Sequence, residues 1–207
     1  GVLSGAVLIH NHFVVEYRRD VAEQLEIYAI DGQYLQSVGL PGRGTLNGMR
    51  GRQTDTTLYF SFASYLYPGT IFSLDMNTFQ TQTWFEPNPG IDLNKYAVEQ
   101  VFYSSKDSTL IPMYIINNRD MQKDGSNPTY LYGYGGFQIS IMPSYSAFTL
   151  AWLEAGGVYA VANIRGGSEY GEDWHSAGMR HNKQTVFDDF IAASEYLIDQ
   201  GFTTAGG

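Results

Sequence analysis

The residues best suited to chemistry are Tyr130–Phe137, which read Tyr-Leu-Tyr-Gly-Tyr-Gly-Gly-Phe. A short apolar strand runs there into a glycine turn. Glycine lets the backbone bend sharply, and a tyrosine hydroxyl beside such a bend suits a developing negative oxygen. The phenol of Tyr134 is neutral near pH 7 and donates one hydrogen bond. A single donor of that kind is worth ~3 kcal/mol of barrier. The residues alone leave a second reading open, in which Tyr134 is a turn or core aromatic beside permissive glycines.

A second candidate is Asn163-Ile164-Arg165-Gly166-Gly167-Ser168-Glu169-Tyr170-Gly171. A strand enters a Gly-Gly turn there, and a loop at the carboxyl end of a parallel strand lies on the ligand side of a sheet. Arg165 either binds a carboxylate or pairs with an acid such as Asp188, Asp189 or Glu169. The structural pair is the preferred reading. Ser168 does not fit a nucleophile elbow, Gly-x-Ser-x-Gly, because Tyr170 stands where the second glycine belongs. The four histidines, His10, His12, His175 and His181, offer no evident general base. No His-Glu-x-x-His pattern or acidic metal loop occurs, so neither metal nor cofactor is expected.

Composition narrows the classes. The 207 residues suffice for one domain or two small ones, and 43% hydrophobic with 16% charged content fits a folded chain. The net charge of -9 comes without a basic stripe, which argues against a nucleic-acid partner. There are no cysteines, which excludes disulfides, thiolate catalysis and cysteine-based zinc sites within this sequence. No apolar run approaches the ~20 residues a spanning helix needs, so no membrane partner is expected. The start at Gly1 rather than Met reads as a cut end or a processed one.

Two elements must position the candidates, and they have different rhythms. Residues 1–90 read as all-β, with strands expected at Ala6–Ile9, His12–Tyr17, Gln24–Ile30, Tyr34–Val38, Thr57–Ala63, Thr70–Asp75 and Thr78–Phe85. Period-2 alternation, as in Phe13, Val15 and Tyr17, supports them. Asp31-Gly32 and Pro68-Gly69 read as turns. Residues from about 1–40 and 44–90 have similar shape, each ending with an aliphatic–Asp–turn–strand segment (Ala29-Ile30-Asp31-Gly32 and Ser73-Leu74-Asp75-Met76), consistent with repeated four-stranded blades. Pro87-Asn88-Pro89-Gly90 reads as a linker.

Beyond it, strands are expected at Val98–Tyr103, Ile111–Ile116, Thr129–Gly133 and Val158–Asn163, with helices at Ser146–Ala155 and Lys183–Gln200. In the last helix Val186, Phe190, Ala193 and Leu197 form an apolar face, with Asn182 to cap its start and Gly201 to end it. This is the pattern of an α/β layer fold with a buried sheet.

Taken together, Tyr132–Phe137, Asn163–Gly167, Glu169-Tyr170-Gly171, Trp174-His175 and Phe187-Asp188-Asp189-Phe190 resemble the prolyl oligopeptidases. The resemblance extends to Ser104–Asp107, Ile111-Pro112-Met113 and the β half, so it covers nearly the whole chain. It implies a partial β-propeller of about two blades (1–90) followed by the first part of an α/β-hydrolase domain (91–207). It implies a serine-type endopeptidase that cleaves short proline-containing peptides after proline through an acyl-enzyme. By the same resemblance Tyr134 supports the oxyanion and Phe137 lies near the proline-binding pocket. The protein would be a cytoplasmic monomer, and Arg165 belongs to scaffold.

The family's nucleophile lies in a Gly-Gly-Ser-x-Gly-Gly elbow. Gly206-Gly207 resembles its beginning, but the strand expected before it is missing. The nucleophile, acid and base are therefore expected outside this chain, and the chain alone is expected to be inactive. Two alternatives stand beside this reading: a non-catalytic binding or interaction module, and a related oligopeptidase of different specificity.

Overall fold

The computed structural model describes residues 1–206; Gly207, in the Gly206-Gly207 pair noted above, lies outside the described residues. The chain forms two compact units. The first is Gly1–Gly90 together with Met142–Tyr145, and the second comprises the remainder.

Two four-stranded antiparallel sheets make the first unit. One is β1 (Val2–Ile9), β2 (His12–Arg19), β3 (Ala22–Ala29) and β4 (Tyr34–Val38), in that spatial order. The other is β5 (Thr45–Arg50), β6 (Thr57–Ser64), β7 (Tyr67–Asp75) and β8 (Thr81–Phe85), again in sequence order. Each is a meander in which neighbours in sequence are neighbours in space, as in a propeller blade. In β6 every second residue is buried, and Leu58, Phe60 and Phe62 point to one core. Val14, Leu25 and Ile27 of the first sheet join Phe72 and Leu74 of the second in that cluster. Fully burying a side chain of this size stabilises by roughly 1.5–3 kcal/mol.

Two local expectations change. Pro68-Gly69 is not a turn: both residues lie inside β7, and the chain reverses at Tyr65-Leu66. Pro68 stands second in its strand, near the strand start where proline is tolerated. Strand β5 has no counterpart among the strands expected from sequence. Of its six residues only Leu46 is buried, and Gly48 at φ +63 breaks the pairing with β6, so no alternation survives to be read.

The two inner strands of the first sheet carry a carboxyl pair, Glu16 on β2 and Glu23 on β3. Glu23, on β3, is 5% exposed, and its Oε2 accepts from Leu46 N–H. Arg18 is its register partner on β2. Burial and the Glu23 carboxylate push the Glu16 carboxyl up to about 7.

The second unit is built on a mixed sheet ordered β11-β12-β10-β9. Its strands are β9 (Tyr96–Ser104), β10 (Leu110–Asn118), β11 (Thr129–Gly133) and β12 (Val158–Ala162). β11 and β12 are parallel, whereas β10 runs antiparallel to both of its neighbours. The helices are α1 (Ala147–Glu154), α2 (Glu172–Ser176) and α3 (Lys183–Asp199).

α3 lays Val186, Ala193 and Leu197 on one core with Ile111, Met113 and Ile115 of β10 and Ala160 and Ala162 of β12. It ends as the sequence suggests. Gly201 sits at φ +74, its N–H donates to Ile198 O, and Phe202 N–H reaches Leu197 O. These two bonds form a Schellman cap, with Phe202 and Leu197 both in the core. At the other end Asn182 occupies the cap position, but its side chain makes no cap bond and donates instead to Ser176 O.

Candidate functional site

Tyr134 leaves the sheet immediately after Gly133, the last residue of β11, which pairs with Ala162 of β12. The two glycines that flank it leave no room for a side chain. A Cβ on Gly133 would lie 3.0 Å from the Phe190 ring. One on Gly135 would lie 2.5 Å from Val186 Cγ1 and 2.8 Å from Arg165 O. Gly135 also has φ +59, a left-handed conformation that favours glycine. The backbone is therefore pressed against α3 and the loop after β12. Tyr134 is 41% exposed rather than packed in the core.

Phe137 follows at φ +53 and is 85% exposed, and Gln138 follows at φ +59. Left-handed non-glycine residues in succession cost energy and are found where the surroundings impose them. Here Gln138 N–H donates to Gly166 O at 3.3 Å, and its side-chain amide donates to the Glu172 carboxylate. A cleft of about 560 Å³ opens beside this turn, bordered by Gly136, Phe137, His175, Met179 and Lys183.

The loop after β12 supports the turn from beneath. Gly166, at φ +96, would place a Cβ 2.5 Å from Gly135 O. Gly178 in turn would place one 2.5 Å from Gly166 N. The three backbones are stacked at distances only glycine permits. Asn163 donates from Nδ2 to Ile141 O at 2.6 Å, and Glu169 accepts from Ile141 N–H at 2.9 Å. The segment after Gln138 is thus tied down through both polar groups of one residue.

Arg165 is the hub of this support. It is 6% exposed, and Asp189 of α3 is fully buried. The Arg165 backbone N–H and Nε both donate to Asp189 Oδ2 at 3.0 Å, and Nη2 donates to Oδ1 at 2.6 Å. On its other edge Nη1 donates to Asp107 Oδ2 at 2.6 Å. Ser105 Oγ donates to Asp189 Oδ1 at 2.6 Å, and Tyr103 OH donates to the Asp189 carbonyl at 2.9 Å. The hydrogen bonds from Arg165 hold the Asp107 carboxyl well below the usual carboxylate range. The bond to Asp189, with that to Asp107, raises Arg165 further still. A guanidinium satisfied in this way on both edges is a structural brace.

Three other candidates, His175 at the cleft's border among them, have hydrogen bonds to backbone carbonyls. Ser168 Oγ donates to Gln138 O at 2.7 Å, so its proton serves the loop. His175 Nδ1 donates to Gly166 O at 2.8 Å. His12 Nδ1 lies 2.7 Å from His10 O, within the β1–β2 turn of the first unit. Among the described residues no group of three or more His, Asp or Glu is gathered as for a metal ion. No helix among them is long and apolar enough to cross a membrane.

Sequence reasoning singles out Tyr134, Phe137 and Arg165 and offers Asp189 among the partners of Arg165. It misses Asp107 as the second partner, and it misses Lys183, whose Nζ donates to Gly135 O at 2.7 Å. Neither contact has a local signal, since 58 and 48 residues separate the partners.

Comparison with known proteins bears on both units. Residues 2–87 match the model of the prolyl oligopeptidase N-terminal beta-propeller domain, and residues 143–206 match that of the prolyl oligopeptidase family. The chain is 45% identical over 193 residues to the prolyl endopeptidase of Elizabethkingia miricola, covering 93% of this chain and 27% of that protein. It is 38% identical over 195 residues to the prolyl endopeptidase of Dictyostelium discoideum, covering 92% and 26%. A dual function macrocyclase-peptidase of Galerina marginata is 34% identical over 201 residues, covering 94% and 27%.

The chain thus spans about a quarter of the length of the curated relatives it matches. Among solved structures, one from a study of two prolyl endopeptidases superposes with a TM-score of 0.93 at 40% identity, over 97% of this chain and 30% of that one. A post-proline cleaving enzyme from Rickettsia typhi gives 0.87 at 28%, over 98% and 30%.

Proposed function

We propose, from the premise that this chain belongs to the prolyl oligopeptidase family, that the full protein is a serine peptidase cleaving short peptides after proline. In this reading residues 1–90 contribute propeller blades, and residues from 91 onward open the hydrolase domain. The serine, its base and the orienting acid come from outside these 207 residues.

The serine oxygen attacks the scissile carbonyl as its proton passes to the base, and the carbonyl oxygen becomes an anion. The Tyr134 hydroxyl donates a hydrogen bond to that oxygen while keeping its own proton. Collapse expels the amine, which takes a proton, and water then releases the acyl group. Phe137 offers an exposed ring for the proline. The protein would act without cofactor, as a cytoplasmic monomer.

One observation carries this reading: the Tyr134 phenol stands exposed at the sheet's end, between two positions packed too closely for any residue but glycine. Hydrolysis is favoured over ring closure because the prolyl endopeptidases above are 45% and 38% identical, against 34% for the macrocyclase-peptidase.

The test is Tyr134→Phe in the full-length protein, assayed on a chromogenic prolyl peptide. We expect kcat to fall about 10²-fold, equivalent to ~3 kcal/mol, with KM nearly constant. An unchanged kcat removes Tyr134 from the reaction. The 207-residue chain alone is expected to give no turnover, and fluorophosphonate labelling at Ser168 with product release would overturn the assignment.

A further inference from the structure

Lys183 is the first residue of α3, and its half-buried side chain reaches back to the turn after β11. Its ammonium donates to the Gly135 carbonyl at 2.7 Å, and it lies 6.0 Å from the centroid of the Phe187 ring, one helical turn on. Gly135 is the residue whose left-handed φ turns the chain after Tyr134.

The peptide that leaves Gly135 is thus held on one side by an ammonium and pressed on another by Gly166. A charge-assisted bond to a carbonyl is shorter and about twice as strong as a neutral one. It also fixes the orientation of the peptide plane, because a rotation about that plane would move the oxygen away from the ammonium. Gly136, next along, is the meeting point of the two side chains: a Cβ there would lie 4.0 Å from both Lys183 Nζ and Tyr134 Cε1.

Six residues further along the same helix, Asp189 holds Arg165 and with it the loop beneath the turn. α3 therefore grips the Tyr134 turn directly through Lys183 and indirectly through Asp189. The brace through Asp189 is buried and satisfied within the scaffold. The grip through Lys183 is the one applied to the turn itself.

We propose that Lys183 is a positioning residue for Tyr134: its bond to the Gly135 carbonyl sets where the phenol stands during the reaction. This rests on the peptidase reading above, in which Tyr134 supports the oxyanion. Phenol hydrogen bonding to a transient anion falls off steeply with misplacement, so loss of Lys183 acts on the transition state more than on substrate binding.

A cysteine at position 183 would be the one alkylation site within these 207 residues, which contain no other cysteine. Lys183→Met and Lys183→Cys are made in the full-length protein, and the cysteine is then converted to its S-aminoethyl form, which restores an ammonium at nearly the lysine position. The unsubstituted protein carried through the same alkylation is the control. We expect kcat on a prolyl peptide to fall about tenfold in K183M and unmodified K183C, with KM changed less than about twofold. Aminoethylation should restore kcat to within about threefold, whereas carbamidomethylation should not.

Amide hydrogen exchange is read in parallel. Protection should fall in K183M across residues 134–138 and stay unchanged across residues 186–193 of α3. Unchanged kcat with unchanged exchange at the turn overturns the proposal. So does a loss of protection spread along α3, which would make Lys183 a helix-start residue only. If the full-length protein cleaves no prolyl peptide, the peptidase reading fails, and the exchange data still decide whether Lys183 holds the turn.

Discussion

The two units bury acidic groups in opposite ways. In the first, Glu16 and Glu23 lie on the inner strands β2 and β3, and burial drives both carboxyls upward. In the second, Asp189 is fully buried but receives the backbone N–H, Nε and Nη2 of Arg165, while Asp107 is held down by the same guanidinium. The first unit is built on its hydrocarbon core and tolerates a costly carboxyl pair. The second invests polar groups in geometry, fixing one loop against one turn. Satisfied buried networks of that kind specify a conformation more than they add stability.

The sharpest way to break this contrast is Asp189→Ala. It leaves a buried guanidinium with one carboxylate instead of two and frees the Arg165 backbone N–H. We expect a cost of about 3–5 kcal/mol. The loss should be confined to residues 91–141 and 146–206 when denaturant unfolding is followed by hydrogen exchange. Next is Leu74→Ala in the first unit, a fully buried aliphatic whose truncation should cost about 3 kcal/mol. If that loss spreads equally over both units, they do not unfold separately and the contrast fails.

Gly166→Ala tests the stacked backbones. A left-handed residue that gains a Cβ costs roughly 1–2 kcal/mol, and here the methyl also meets Gly135 O at 2.5 Å. We expect a total of at least about 2 kcal/mol, with faster exchange at Gly135–Gln138 than elsewhere.

The smallest effect is the response to pH. Native Glu16 keeps its proton up to about pH 7, whereas the unfolded chain releases it near its ordinary value of 4.5. Protonated Glu16 therefore favours the folded state between these values, and the first unit loses stability as pH rises through that window. Asp107 has the opposite sign. Its native carboxyl is depressed, so its contribution is present above about pH 4 and lost as pH falls further. Thermal unfolding across about pH 3–8 should show the two slopes. Glu16→Gln should flatten the one above about pH 4.5.

The legible parts of the sequence are those where local chemistry decides. The apolar alternation of β6, the amphipathic face of α3, its end at Gly201 and the glycine turn after β11 each follow from residues within a few positions of one another. β5 escapes such reading because its sides are nearly equal in polarity. α2 escapes it because five residues give no helical period. Pro68-Gly69 misleads because a proline-glycine pair has the same composition in a turn and near a strand start. Tyr134 is recognisable as a residue type at a strand end. What holds it is not, because Asp107 and Lys183 reach their partners across 58 and 48 residues of chain.

Lys183 and Asp189 stand six residues apart on α3, which separates them by about 9 Å along the axis at ~1.5 Å per residue. That spacing makes the helix a ruler with two marks. Inserting one alanine between them would twist one mark about 100° away from the other, so the helix would persist while its measurement was lost.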